Sequence, residues 1–170
     1  MVRQDVWHRL DLIARRILPF FVTLLLIMVA MVPLRVPLLS PVIPALPLIA
    51  VYYWSVHKPN LMPVWAIFLI GLFHDLLTAG PPGVGILSLL VVYGLVESLR
   101  RLLVGAGFLA IWLVFVPVAA AASLSTWLLT CLIETRFFDP DPTLFQYFAT
   151  IAGYPCLAWM LSQLQRSLVR

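Results

Sequence analysis

Residues 102–133 read LLVGAGFLAIWLVFVPVAAAASLSTWLLTCLI, 32 consecutive positions without a charged side chain. A helix rises about 1.5 Å per residue, so about 20 apolar residues cross about 30 Å of hydrocarbon, and this run exceeds that length. Gly105 and Gly107 mark a turn near its start, and the rest reads as one long tilted helix kinked near Pro117. Working outward, five further apolar runs are bounded by charge, proline or glycine. They predict helices over about 17–34, 44–56, 61–78, 84–99 and 144–164.

Two boundaries carry their own reasons. The apolar stretch 36–54 contains Pro37, Pro41, Pro44 and Pro47, and an interior proline costs a helix about 3 kcal/mol. Residues 35–43 are therefore read as extended chain, with the second helix opening near Pro44, where proline is tolerated in the first turn. Arg100 and Arg101 are expected to stop the fourth helix. The loop Ala79, Gly80, Pro81, Pro82, Gly83 turns the chain sharply between the third and fourth.

Composition agrees with a lipid solvent. The chain is 63% hydrophobic, and its 11 basic and 7 acidic residues are too few to cover a water-soluble surface of this length. Mean hydropathy is +1.05. With six spans, Arg3, Arg9, Arg15, Arg16, Lys58, Arg100, Arg101, Arg166 and Arg170 fall on one side, and only Arg35 and Arg136 on the other. The positive-inside rule makes the first side cytoplasmic, with both termini there. The expected fold class is all-α, a polytopic membrane protein of about six transmembrane helices. Residues 1–16 form a cytoplasmic or interfacial segment, 17–164 a single transmembrane domain and 165–170 a cytoplasmic tail. The net charge of +4 forms no continuous stripe, which points to anionic lipid headgroups and away from nucleic acid.

The N-terminal apolar run is too long for a signal-peptide core and lacks a small-x-small cleavage site, so it is expected to be retained. In the segment before it, Val6, Leu10, Ile13 and Ile17 recur at helical spacing. That pattern fits an interfacial helix with Trp7 at the headgroups, and equally a cytoplasmic extension of the first span. Cys131 and Cys156 are expected at different depths, unpaired, as small buried hydrophobes.

Asp75 most needs an explanation. It falls in the last turn of the third helix, about 21 Å from that helix's start, where an unpaired charge costs at least about 2.5–3.5 kcal/mol. The donors nearest in sequence are the backbone N–H groups of Gly83 to Gly85, which open the fourth helix and need acceptors. Asp75 is thus expected to lock the loop between helices three and four, with Arg35 or a partner protein as further candidates. A proton or ion relay is the competing reading. His74 points about 100° away from Asp75 on a helix and is not expected to pair with it.

The other polar residues suggest no chemistry. Glu97 should form a surface ion pair with Arg100 or Arg101. Ser123, Ser125, Thr126 and Thr130 should return their hydroxyls to the helix backbone. Ala119 to Ala122 with Ser123 allow close helix approach. Glu134, Arg136, Asp139, Pro140, Asp141 and Pro142 form a short acidic hairpin loop. No catalytic, cofactor or metal residues are assigned, because no zinc spacing, paired acids or Ser and His arrangement occurs.

Residues 47–101 carry a more specific pattern: Pro47 to Trp54, then Pro59, then Phe68, Gly71, Leu72 and Asp75, then Gly80, Pro82, Gly83 and Val84. This pattern resembles the rod shape-determining protein MreD family, which shows a Trp closing helix two, a proline in the cytoplasmic turn, a Gly-Leu pair before an Asp, and a glycine-containing outer loop. The dense prolines before helix two and His74 beside the Asp depart from it. The resemblance implies a non-enzymatic subunit of the bacterial inner membrane. Such a subunit would bind the single-span protein MreC and, through it, MreB and the peptidoglycan-synthesis enzymes. Trp54, Pro59, Phe68, Gly71, Asp75, Gly80 and Gly83 are the structural or partner-docking candidates. The alternative is a substrate-binding membrane subunit of a small-molecule, vitamin-type importer. Such a subunit needs a pocket lined by several polar residues, whereas Asp75 stands almost alone in the sequence.

Overall fold

The computed structural model describes residues 18–31, 44–78, 80–135 and 139–168. Among these, the secondary structure is helical throughout. The helices are α1 (Leu18–Met31), α2 (Leu46–His57), α3 (Val64–Leu77), α4 (Val84–Leu103), α5 (Phe108–Glu134) and α6 (Asp141–Leu168), with a 3-10 turn at Pro59–Leu61 after α2. The readings made for the 1–16 segment, Arg35, the extended 35–43 stretch, Arg136 and the C-terminal residue fall outside the described residues.

Four helices close a ring. α4 packs against α2 and α5, α5 against α6, and α6 back against α2, while α3 attaches to α4 from outside. α2 is apolar all round, and a helix of that pattern buries every face. Pro47 through Ser55 are all buried, and Leu26 and Ile27 of α1 join the same core. Tyr52 sits at its centre, its ring 4.9 Å from that of Phe115 and 5.7 Å from that of Tyr154. Its hydroxyl donates to the Ile111 carbonyl at 2.8 Å, which satisfies this buried polar atom within the aromatic stack.

The solvent-facing sides are unusually greasy. Phe21, Trp65, Leu76, Leu109, Leu113, Leu132, Phe148 and Trp159 are each more than half exposed. Apolar surface on this scale marks contact with lipid or protein. α5 and α6 are each long and apolar enough to cross a membrane.

Several boundaries differ from the sequence reading. α2 opens at Leu46, two residues later than expected, with Pro47 in its first turn. α3 begins at Val64 because Pro59 and Pro63 break the preceding chain into a 3-10 turn. Arg100 and Arg101 do not stop α4, which continues to Leu103. Arginine is a good helix former and its charge suits a helix C-terminus, so the terminator is Gly105, whose φ is +81°. α6 extends beyond 144–164 at both ends, opening at Asp141 with Pro142 behind it and running to Leu168. An acid and a proline both favour a first helical turn, and the tail read from 165 is helical as far as Leu168.

Pro155 lies inside α6 and removes the N–H that would bond the carbonyl of Ile151. Trp112 of α5 supplies the replacement, its indole N–H reaching that oxygen at 3.3 Å. A helix defect thus becomes an interhelical bond. The N-terminus of α2, which has no side-chain cap of its own, is served the same way: the Ala45 N–H donates to Thr150 Oγ1 of α6 at 3.0 Å. Cys131 and Cys156 are both free, Cys131 is half-buried and Cys156 exposed, so of the expectations for them only the lack of pairing holds.

Candidate functional site

The α3–α4 hairpin is organised by one carboxylate and three glycines. Asp75 Oδ2 accepts the Gly83 N–H at 2.8 Å and the Ile86 N–H at 3.3 Å, and Oδ1 accepts the Gly85 N–H at 2.8 Å. These are the orphan donors of a helix N-terminus, and α4 has no capping side chain of its own because its N-cap is Gly83. The acid therefore caps the next helix from the end of the previous one. Gly83 stands at φ +98°, a left-handed conformation that side chains resist.

Gly71 and Gly85 let the carboxylate get there. A Cβ on Gly71 would lie 2.6 Å from the Ile86 Cα, so a hydrogen at this position is what allows α3 and α4 to touch backbone to backbone. A Cβ on Gly85 would fall onto Asp75 Oδ1 and lie 2.7 Å from His74 Nδ1. Both side chains consequently converge on that space. The two groups nonetheless lie closer than a separation of about 100° on the helix implies, with Nδ1 of His74 3.6 Å from Asp75 Oδ1. That separation is too long for a hydrogen bond, and His74 Nδ1 is buried with no partner among the described residues.

The remaining candidates lie elsewhere. Trp54 is fully buried in the α2 core, which makes it a packing residue and removes it from any docking surface; its indole N–H finds no acceptor among the described residues. Pro59 opens the turn that follows α2. Phe68 projects from α3 with 45% of its surface exposed, and Gly80 sits in the exposed loop. Of the seven, Gly71, Asp75 and Gly83 meet in one place.

Around them the fold opens a cavity of about 600 Å³. It is bounded by the end of α1, the start of α2, the end of α3, the start of α4, the end of α5 and the start of α6. Ile27, Met31, Leu48, Val84 and Leu89 form apolar wall. His74, Asp75, Thr78, Ser88, Ser123, Thr126, Thr130, Glu134, Thr143 and Gln146 also line it. Asp75 therefore does not stand alone among polar residues, as the sequence suggested.

Several of these hydroxyls are partly engaged, as expected for helix serines and threonines. Thr130 donates to the Thr126 carbonyl at 2.8 Å, and Thr126 and Ser125 reach the Ala122 carbonyl at 3.0 and 2.8 Å. Thr126 also bonds Ser88 across to α4 at 3.0 Å, alongside the buried Ala119 and Ala122 that bring the two helices close. Glu97 pairs with Arg100 at 3.4 Å on the exposed far end of α4.

An all-helical bundle with an amphipathic cavity at one end is the class that this geometry defines. No family model, curated protein or solved structure matches the chain.

Proposed function

We propose that this chain is a six-span protein of the bacterial inner membrane, of the MreD type, with both termini cytoplasmic. In this reading it is a scaffold without an active site of its own that binds MreC and helps organise peptidoglycan synthesis for rod shape. The observation that carries the reading is the convergence of Gly71, Asp75 and Gly83 on one rigid hairpin. Residues that carry the sequence resemblance serve a single structural purpose there.

The layout draws support from two features. Large apolar side chains cover the outward faces of α1, α3, α5 and α6, as lipid contact requires. The described cations Lys58, Arg100, Arg101 and Arg166 all lie toward one end, at the C-terminal ends of α2, α4 and α6, in the pattern of the positive-inside rule. With connections this short, the lateral helix faces and the hairpins are what the chain offers to a partner. Co-purification of MreC with this chain from detergent extracts, together with loss of rod shape on depletion, is the expected result. Rod shape retained after depletion, with no MreC captured, would reject it.

The cavity favours a second reading, the substrate-binding subunit of a small-molecule importer, because a volume of about 600 Å³ with mixed lining suits a bound metabolite. A tightly held ligand in protein purified from cells that keep their rod shape would select it.

A further inference from the structure

We propose that the cavity at the Asp75 end is a binding site for a small organic cation with an apolar body, and that it discriminates against anions of the same size. The proposal holds whether the chain serves as a scaffold or as an importer subunit.

Three observations carry it. The cavity volume, about 600 Å³, lies within the range of sites that enclose metabolite-sized molecules. Its lining is divided: Ile27, Leu48 and Leu89 offer apolar wall, while Ser123 and Thr143 bring hydroxyls for which the described residues supply no hydrogen bond. The third is charge. Asp75 and Glu134 line the cavity, and among the described residues no Lys or Arg lines it. The four described cations occupy the opposite end of the bundle. A concave site lined by one sign of charge, with low-dielectric walls, concentrates the counter-ion.

The two lining carboxylates differ in availability. Asp75 has its oxygens engaged by three backbone N–H groups and contributes a fixed negative charge. Glu134 closes α5, is exposed, and has no side-chain hydrogen bond or ion pair among the described residues, so it is free to meet an ammonium or protonated heterocycle.

The test uses two ions of nearly the same size and shape and opposite charge, tetraphenylphosphonium and tetraphenylborate. Equilibrium dialysis is run against the full chain in an uncharged maltoside detergent, with protein-free micelles as the blank. Saturable binding of the phosphonium is expected, with tetraphenylborate at least about tenfold weaker. Glu134→Gln should weaken phosphonium binding about fivefold, the scale of one partly exposed charge pair, and Glu134→Lys should weaken it further. Both variants change an exposed residue, so folding is not at stake. Ser123→Trp, which fills the cavity, should abolish saturable binding while the melting temperature reports that the bundle is intact. Equal binding of the two ions, no saturable component, or unchanged phosphonium affinity in Glu134→Lys would each overturn the proposal.

Discussion

Replacing Asp75 by Asn removes the charge and one acceptor while leaving the shape of the side chain nearly unchanged. The carboxylate takes three backbone N–H groups, two on Oδ2 and one on Oδ1. An amide oxygen placed where Oδ2 lies keeps the Gly83 and Ile86 donors but turns an NH₂ group toward the Gly85 N–H. One hydrogen bond to a charged group, worth about 1.5–3 kcal/mol, is lost, and the other two fall to the neutral range of about 0.5–1.5 kcal/mol. Relief from burying a carboxylate whose side chain is only 8% exposed offsets part of this. The net expectation is destabilisation by about 2–3 kcal/mol, or a fall in melting temperature of about 4–12 °C for a chain of this size. Intrinsic-fluorescence melting in detergent measures it directly. A variant that melts within about 1 °C of the parent while losing an ion-coupled activity would refute the capping argument and turn attention to proton or ion transfer.

The glycines separate by what surrounds them. Gly71→Ala drives a methyl into the Ile86 backbone and should cost about 1–3 kcal/mol by overpacking, whereas Gly94→Ala meets nothing within 4 Å and should stabilise α4 by about 0.5–1 kcal/mol; paired melting curves check the contrast. A double-mutant cycle tests the bond that compensates Pro155: Trp112→Phe should cost about 1 kcal/mol more in the parent than in a Pro155→Ala background, where a backbone N–H again reaches the Ile151 carbonyl. In a cysteine-free background, single cysteines at Lys58 and Arg100 should react with impermeant thiol reagents only from the cytoplasmic side, and labelling of either from outside would reject the six-span layout.

Much of this architecture is legible in the amino-acid order, and the parts that are not have identifiable causes. Helix positions follow from apolar runs, since the physical requirement is one of length alone. The ends of α4 and α6 are harder to place, because Arg100, Arg101 and Asp141 read as interruptions of an apolar run although each is favoured at the helix terminus where it lies. The donors for Asp75 are readable from sequence because a helix opening at Gly83 with no capping side chain has unmet N–H groups wherever it packs. The cavity is not readable. Thr126 and Thr130 each have a sufficient local partner in their own helix, and only the closure of the ring brings them, with Ser123, to face Ser88, His74 and Asp75. The approach of His74 to Asp75 is hidden for a related reason: angular separation on an ideal helix takes no account of the space left open at Gly85, which both side chains enter.

The position of α2 bears on how the molecule is made. A helix of 12 residues is about 18 Å long, too short to cross the hydrocarbon of a bilayer unaided, and it leaves the ribosome before α4, α5 and α6 exist. Beyond α1, its buried faces pack on α4 and α6, which arrive later, so the interior of the finished bundle is assembled around an early piece that must wait. Slow codons or an assisting insertase would matter most between the synthesis of His57 and that of α6, the interval in which the future core has no walls.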